Sequence, residues 1–312
     1  MKIITITLNP SIDKTLYLDT LDVNQLNRVK MTVEHVAGKG INVSNNLHMW
    51  NVESIALGFV GGIQGKQIKD YLTQQKIQHD FVEVKENTRV NLKIKTSDNM
   101  LTEINEPGPT IEKEHIDALF NKLKKHVASD CIVVLSGSAP PSLNPSIYKD
   151  IVEYAKSMNA YVILDVDKQA LHQGLSANPN MIKPNEKEVQ DFVNSSQPLT
   201  MDQLIDQAKK WIAEGLETII ISMGSKGALF VANHQVIYAK GLSVSVESPI
   251  GAGDSMVAAM VYAKCKNMSF KQSCTFAMAA SAATVETIGT QPATLEAIKK
   301  KIDEVKLEEV KV

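Results

Sequence analysis

The stretch Ser248-Pro249-Ile250-Gly251-Ala252-Gly253-Asp254-Ser255-Met256 holds the residue types best suited to chemistry. It follows an alternating, strand-like run over 242–246 and opens an apolar, helix-like run over 256–263. Pro249 suits a turn, and Gly251 and Gly253 permit backbone conformations closed to other residues. Such a loop leaves bare N–H groups at a helix N-terminus, which is an anion site. Asp254 places a carboxylate inside it. A site that merely held phosphate would not want that charge, whereas a site that transfers a phosphoryl group would. The N–H groups steady the group in transit, and the carboxylate takes the proton of the acceptor hydroxyl. Without that chemistry the same stretch is a glycine-rich turn capped by an aspartate.

Other stretches offer partners for an anion. Ala37-Gly38-Lys39-Gly40-Ile41-Asn42-Val43-Ser44 leads into a helix through Met49, and glycines around a lysine at a helix start suit a phosphate. It is not a P-loop, because no Ser or Thr follows Lys39. Gly61-Gly62-Ile63-Gln64-Gly65-Lys66 fails the same test and reads as a loop before a helix over about 66–75. Ser222-Met223-Gly224-Ser225-Lys226-Gly227 lies between two apolar runs, so it is either a ligand-hugging turn or a plain hairpin loop. In Asn185-Glu186-Lys187-Glu188, an amide and a carboxylate three apart share one side of a helix start. They suit a hydrated Mg²⁺, or simply a helix cap with Glu188 at its third position. Asp13 lies just past a first strand over 3–8, where α/β sheets place ligand-binding groups; an Asx turn is the alternative.

The elements that must carry these residues alternate. Helical patterns over 112–127, 144–158 and 201–214 are interleaved with apolar strand runs over 131–135, 161–164, 181–182 and 218–222. A further strand is expected over 228–231 and a charged helical tail over 294–309. Alternation of this kind predicts βαβ units and a mostly parallel sheet with helices on both faces. Two stretches break the pattern. Over 29–36, Val29, Met31 and Val33 oppose Lys30, Thr32 and Glu34, and over 88–95, Val90, Leu92 and Ile94 oppose Arg89, Asn91, Lys93 and Lys95. Strands with one polar face do not belong in a sheet covered on both sides, so they predict a separate small sheet.

The totals narrow the class. A chain of 312 residues with 44% hydrophobic and 22% charged residues fits a soluble globular protein. A net charge of -2 with scattered Lys and Arg gives no footprint for nucleic acid. Cys131, Cys265 and Cys274 form no C-x-x-C and no disulfide framework, which fits a reducing compartment. No apolar run reaches membrane-spanning length and the first residues do not read as a signal peptide, so a cytoplasmic protein is expected. A Rossmann dehydrogenase is disfavoured, since no G-x-G-x-x-G follows the first strand.

Taken in order, Asn9-Pro10-Ser11-Ile12-Asp13, Gly38-Lys39-Gly40-Ile41-Asn42-Val43, Lys183-Pro184-Asn185-Glu186-x-Glu188, Ser222-x-Gly224-x-x-Gly227 and Gly251-Ala252-Gly253-Asp254 resemble the ribokinase-like (PfkB-type) sugar kinase family. The resemblance runs over about residues 2–300. Within the family, Thr88-Arg89-Val90-Asn91 and Thr102-Glu103-Ile104-Asn105-x-Pro107-Gly108-Pro109 look most like bacterial 1-phosphofructokinases, with tagatose-6-phosphate kinases as close neighbours. Ala37, Asn45-Asn46 and Met256 depart from the residues most usual there, and none of them handles charge.

The resemblance implies roles. Asp254 would be the general base, and Gly251, Ala252 and Gly253 the anion hole for the γ-phosphoryl group of ATP. Ser222, Met223, Gly224, Ser225, Lys226 and Gly227 would line the nucleotide pocket, with Lys183 and Asn185 near the phosphates. Glu188 would organise Mg²⁺, through water. Asp13 and Asn42 would bind sugar hydroxyls, while Gly38, Lys39, Arg89 and Ser138, helped by Arg28, would hold the phosphate already on the substrate. The fold implied is a single ribokinase-like domain over 1–312, with a small β-sheet lid from insertions at about 12–36 and 86–106 and a homodimer through that lid. The implied reaction converts fructose 1-phosphate to fructose 1,6-bisphosphate. Tagatose-6-phosphate kinase and 6-phosphofructokinase activities use the same parts, and an idle sugar-phosphate sensor is the reading from another class.

Overall fold

The computed structural model describes residues 1–312 except 99, 167, 233, 234, 249, 311 and 312. Its strands in chain order are β1 (Lys2–Thr7), β2 (Ser11–Leu18), β3 (Met31–Ala37), β4 (Ile55–Gly61), β5 (Gln78–His79), β6 (Val82–Val84), β7 (Arg89–Thr96), β8 (Leu101–Asn105), β9 (Cys131–Ser136), β10 (Tyr161–Asp165), β11 (Met181–Ile182), β12 (Thr218–Ser222), β13 (Gly227–Ala232), β14 (Gln235–Lys240) and β15 (Leu307–Glu309). The helices are α1 (Lys39–Met49), α2 (Gly62–Gln74), α3 (Lys113–His126), α4 (Ser146–Ser157), α5 (Lys168–Leu175), α6 (Glu186–Phe192), α7 (Met201–Ala213), α8 (Ala252–Cys265), α9 (Phe270–Thr284) and α10 (Leu295–Ile302).

β9 is buried at every residue, as a strand covered on both faces must be. Its side chains alternate between two cores. Val133 and Leu135 join Ile4, Ile6, Leu164, Leu123, Ile151 and Trp211 on one face. Ile132 and Val134 join Ile3, Ile163, Leu47, Val257 and Ala277 on the other. The large sheet runs β15-β14-β13-β12-β11-β10-β9-β1-β4-β5, with β6 beside β4. Pairing is parallel from β5 to β12 and antiparallel through β13, β14 and β15. This is the expected α/β architecture, with helices packed on both faces.

A second sheet of four strands runs β3-β2-β7-β8, with β2 and β7 parallel and the outer pairs antiparallel. Its register sets Ser11 beside Arg89 and Asp13 beside Asn91. The expected polar faces are present, and much of the apolar complement stays open: β8 is exposed along its length, and Met31 and Ile104 are 52% and 53% exposed.

Four local expectations are corrected. Asp13 is not in a turn beyond β1: the chain re-enters strand at Ser11, and Asp13 sits inside β2. Gly61 and Gly62 form no loop before a helix over 66–75. Gly62 adopts φ 61, a left-handed bend that lets β4 pass straight into α2. The run over 242–246 is not a strand, because pairing ends with β14 at Lys240 and the segment crosses a cavity instead. The tail is helical only to Ile302, after which 307–309 pairs with β14. Pro249, read as a turn residue, lies outside the described residues.

Trp50 ties α1 to the far end of the chain. It is 1% exposed, donates from Nε1 to the Ala293 carbonyl at 2.8 Å, and meets Tyr262 and Phe276 edge-on. Trp50→Phe leaves that buried carbonyl unpaired, so a loss of about 1–3 kcal/mol is expected from the urea midpoint. An unchanged midpoint would mean that the bond contributes nothing.

Candidate active site

Gly251 caps α8 with φ 86, a conformation glycine adopts without strain, and makes no side-chain cap. The first helical bond, from the Ser255 N–H to the Gly251 carbonyl at 2.8 Å, leaves the N–H groups of the opening turn without helical acceptors. Gly38 likewise opens α1 with no side-chain cap. Elsewhere α7, α9 and α10 are closed by Thr200, Ser269 and Thr294. The starts at Gly38 and Gly251 line one cleft of about 370 Å³; α2 and α4 also begin without a side-chain cap.

Asp254 lies in the first turn of α8, 7% exposed, and accepts from Asn42 Nδ2 at 2.7 Å. Burial, reinforced by the nearby Asp165 carboxylate, pushes its carboxyl up to about 6 from an ordinary 3.8. Asp165 ends β10 and is 1% exposed. Lys39 reaches it at 3.2 Å and Lys183 at 3.3 Å. Burial works against the Asp165 carboxylate, yet Lys183 and Lys39 overcome it and hold the group below the usual range. Lys39 is desolvated too, but Asp165, Asp254 and Glu188 outweigh that and raise its proton affinity. The cleft thus holds a linked set of buried charges rather than one isolated acid.

Across the cleft, the second sheet contributes Asp13. Its Oδ1 accepts from Ser11 Oγ at 2.8 Å and Asn91 Nδ2 at 3.1 Å, and its Oδ2 accepts from Lys93 at 2.6 Å. Arg89, Gly38 and Ser138 also line the cleft. Burial lowers the proton affinity of Arg89, and its Nε has no partner. Oxygens of Asn9, Asn42, Asn91 and Asp165 in the same cleft are also buried without a partner, a density of unmet hydrogen bonds that suits a polar ligand.

A second cavity of about 610 Å³ lies on the other side of the α8 start. Asn185, Ser222, Gly224, Ser225, Gly227 and Ala252 line it beside apolar groups such as Leu242, Val246 and Met278. Gly253 lines both cavities, and a Cβ there would meet Lys183 Nζ at 3.2 Å. Two ligands would therefore meet over the first turn of α8.

Four expected contributors, Met223, Lys226, Arg28 and Glu188, line neither cavity. Met223 turns its side chain into the core, 4% exposed, because the 3-10 turn over Gly224–Lys226 begins just after it. Lys226 points outward to Glu186 at 3.0 Å. Arg28 is exposed in the connection between β2 and β3 and is not among the cleft-lining residues. Asn185 and Glu188 form a reciprocal cap: the Asn185 side chain accepts the Glu188 N–H and Glu188 Oε2 accepts the Asn185 N–H, each at 2.8 Å. Glu188 keeps Oε1 free, and burial raises its proton affinity. Among the described residues no group of three or more acidic, His or Cys side chains could enclose a metal. Asp165 and Lys93 carry no motif. Asp165 was legible only as the polar end of an apolar strand, and Lys93 only as one lysine of a polar face.

Comparison with known proteins places this geometry. Residues 6–297 match the pfkB family carbohydrate kinase profile. The chain is 36% identical to the 1-phosphofructokinase of Bacillus subtilis (strain 168), over 93% of this chain and 95% of that protein. It is also 36% identical to a tagatose-6-phosphate kinase of Staphylococcus epidermidis, over 82% of this chain and 83% of that one. Its fold superposes on the phosphofructokinase-2 of Escherichia coli with a TM-score of 0.91, at 26% identity, covering 97% of this chain and 98% of the other. The chain belongs to the pfkB family of carbohydrate kinases. It is an ATP-dependent phosphotransferase with an alcohol group as acceptor.

The raised proton affinity of Asp254 has a cost in stability. A carboxyl that holds its proton more tightly in the folded state leaves stability unchanged below its ordinary value, near 3.8, and removes stability as pH rises through about 6. The ionised form then costs on the order of 3 kcal/mol. Asp254→Asn is expected to unfold at higher urea than wild type at about pH 8, with the gain vanishing near about pH 4. A variant no more stable than wild type at the higher pH would contradict the burial argument.

Proposed function

We propose that the chain transfers the γ-phosphoryl group of ATP to fructose 1-phosphate at its 6-hydroxyl, giving fructose 1,6-bisphosphate. The observation that carries this reading is the position of Asp254, buried at a bare helix start where two cavities meet. Asp254 takes the proton of the acceptor hydroxyl as its oxygen forms the new bond to phosphorus. The bond to the bridging oxygen breaks, and ADP leaves with that electron pair. The N–H groups of Ala252, Gly253 and Asp254 face the charge that spreads over the transferred oxygens. An acid near 6 is ionised at neutral pH yet basic enough to accept a proton.

The remaining residues fall into supporting roles. Asp13 and Asn42 hold sugar hydroxyls, and Gly38, Arg89 and Ser138 hold the phosphate already on the sugar. Lys39 and Lys183 add positive charge beside the phosphoryl path while pinned to Asp165. The glycine-serine loop from Ser222 to Gly227 lies under the nucleotide. Glu188, with one free oxygen, suits a Mg²⁺ ion held through water, since that ion takes few protein ligands when phosphates are present. The four-stranded sheet acts as the lid. Its open apolar groups, Met31 and Ile104 among them, suit a homodimer contact through that face. The free cysteines Cys131, Cys265 and Cys274 suit the cytoplasm.

The tagatose-6-phosphate kinase relative favours tagatose 6-phosphate as the second candidate acceptor. ADP release at limiting fructose 1-phosphate, tagatose 6-phosphate and fructose 6-phosphate separates the candidates as specificity constants. Fructose 1-phosphate is expected to lead by about tenfold or more, and Asp254→Asn to lose several orders of magnitude in turnover while still binding the sugar phosphate. A leading 6-phosphate would overturn the acceptor assignment, and near-wild-type turnover of the variant would remove Asp254 as the base.

A further inference from the structure

A third cavity, of about 570 Å³, lies behind the substrate cleft, between β3, α1, α2 and the loop that follows α9. That volume is ordinary for a small-molecule site, about 300–1,000 Å³. Of the stretches read from sequence, 61–66 reaches the cavity through Ile63 and Lys66, and Asn45 is another residue singled out there. Its lining is rich in side-chain amides: Asn45, Gln67, Gln74 and Gln291, with Thr290 and the rings of Tyr71 and His35. Amides and hydroxyls both donate and accept, so this lining matches a ligand made of hydroxyl groups. Asn45 is 7% exposed, hydrogen-bonds Tyr71, and keeps a buried side-chain oxygen with no partner. That oxygen calls for a donor.

The charges at the cavity are already matched. Glu34 pairs with Lys14 at 2.9 Å and Asp70 with Lys66 at 2.6 Å. No arginine lines it, whereas Arg89 lines the cleft, so it lacks the fork donor suited to a phosphate. A phosphorylated ligand would have to draw Lys66 away from Asp70, whereas a neutral one would leave both ion pairs intact.

The walls are shared with the active site. Thr290 lines this cavity and the substrate cleft, and a Cβ on Gly251 would meet Thr290 Cα at 3.6 Å. His35 packs on the loop at Gly289, where a Cβ would meet its Nε2 at 3.3 Å. Val36 continues through Ala37 to the Gly38 start of α1. Asn45 lies one turn along α1 from Asn42, which holds Asp254.

We propose that this cavity binds a neutral polyhydroxylated molecule of hexose size, and that its occupancy is felt in the cleft through Thr290 and His35. Calorimetric titration with D-fructose and with D-sorbitol tests the site without any kinase assay. Gln67 is exposed on α2, so Gln67→Trp fills the cavity mouth with little strain on the fold. Saturable binding of at least one probe is expected in wild type and in Asp13→Asn, and binding at least about tenfold weaker in Gln67→Trp. No saturable binding of either probe would overturn the proposal. So would binding lost in Asp13→Asn but kept in Gln67→Trp, which would put the polyol in the cleft. The coupling rests on the kinase reading. The bound probe is expected to shift the KM for the sugar phosphate in wild type and not in Gln67→Trp, and an unmoved KM would refute the coupling.

Discussion

Two buried carboxylates, Asp165 and Asp254, share one cleft, and the rest of the site is arranged around keeping both usable. A buried charge without a partner is costly, and two like charges are worse. Lys39 and Lys183 meet the demand of Asp165 directly. They also lower the proton affinity of Asp254, but less than burial and Asp165 raise it. The outcome is an unequal pair: one carboxylate is held firmly ionised, and the other is poised near neutrality. That inequality is what the proposed proton-accepting role of Asp254 rests on, with Asp165 holding the two lysines in place.

The fold supplies this arrangement through strand ends and helix starts. Asp165 ends β10, Lys183 directly follows β11, and Lys39 opens α1. All lie at the carboxyl edge of the parallel strands or in the loops beyond it, where α/β sheets place their ligands. The same edge turns the bare N-termini of α1 and α8 toward one volume. The second sheet then completes the cleft from outside, with Asp13 fixed by Ser11, Asn91 and Lys93. The small sheet therefore supplies Asp13 to one side of the cleft, while the large sheet supplies Asp165 and Lys183 to the other.

What could be read from sequence was whatever is local. The glycine-aspartate stretch, the alternation of strands and helices and the two half-polar runs each carry their meaning within a few residues. The linked charges do not. Lys39 and Asp165 are 126 residues apart, and Asn42 and Asp254 are 212 apart. No spacing rule reports such a pair. Errors at element ends share one origin, since pairing across the sheet, not pattern, decides them. The alternation over 242–246 stayed unpaired because the chain there covers a cavity, and 307–309 became a strand because β14 offered an edge. Met223 was grouped with its loop neighbours by position, yet its apolar side chain faces the core.

The central claim is that Asp254 is a buried carboxylate brought close to neutrality by its surroundings. The most direct measurement is a ¹³C NMR titration of the ligand-free protein labelled at aspartate carboxyls, with Asp254→Asn used to assign the resonance. The account predicts that the missing signal titrates with a midpoint of about 6. A midpoint in the ordinary aspartate range, at or below about 4, would contradict it and remove the physical basis for Asp254 as the proton acceptor.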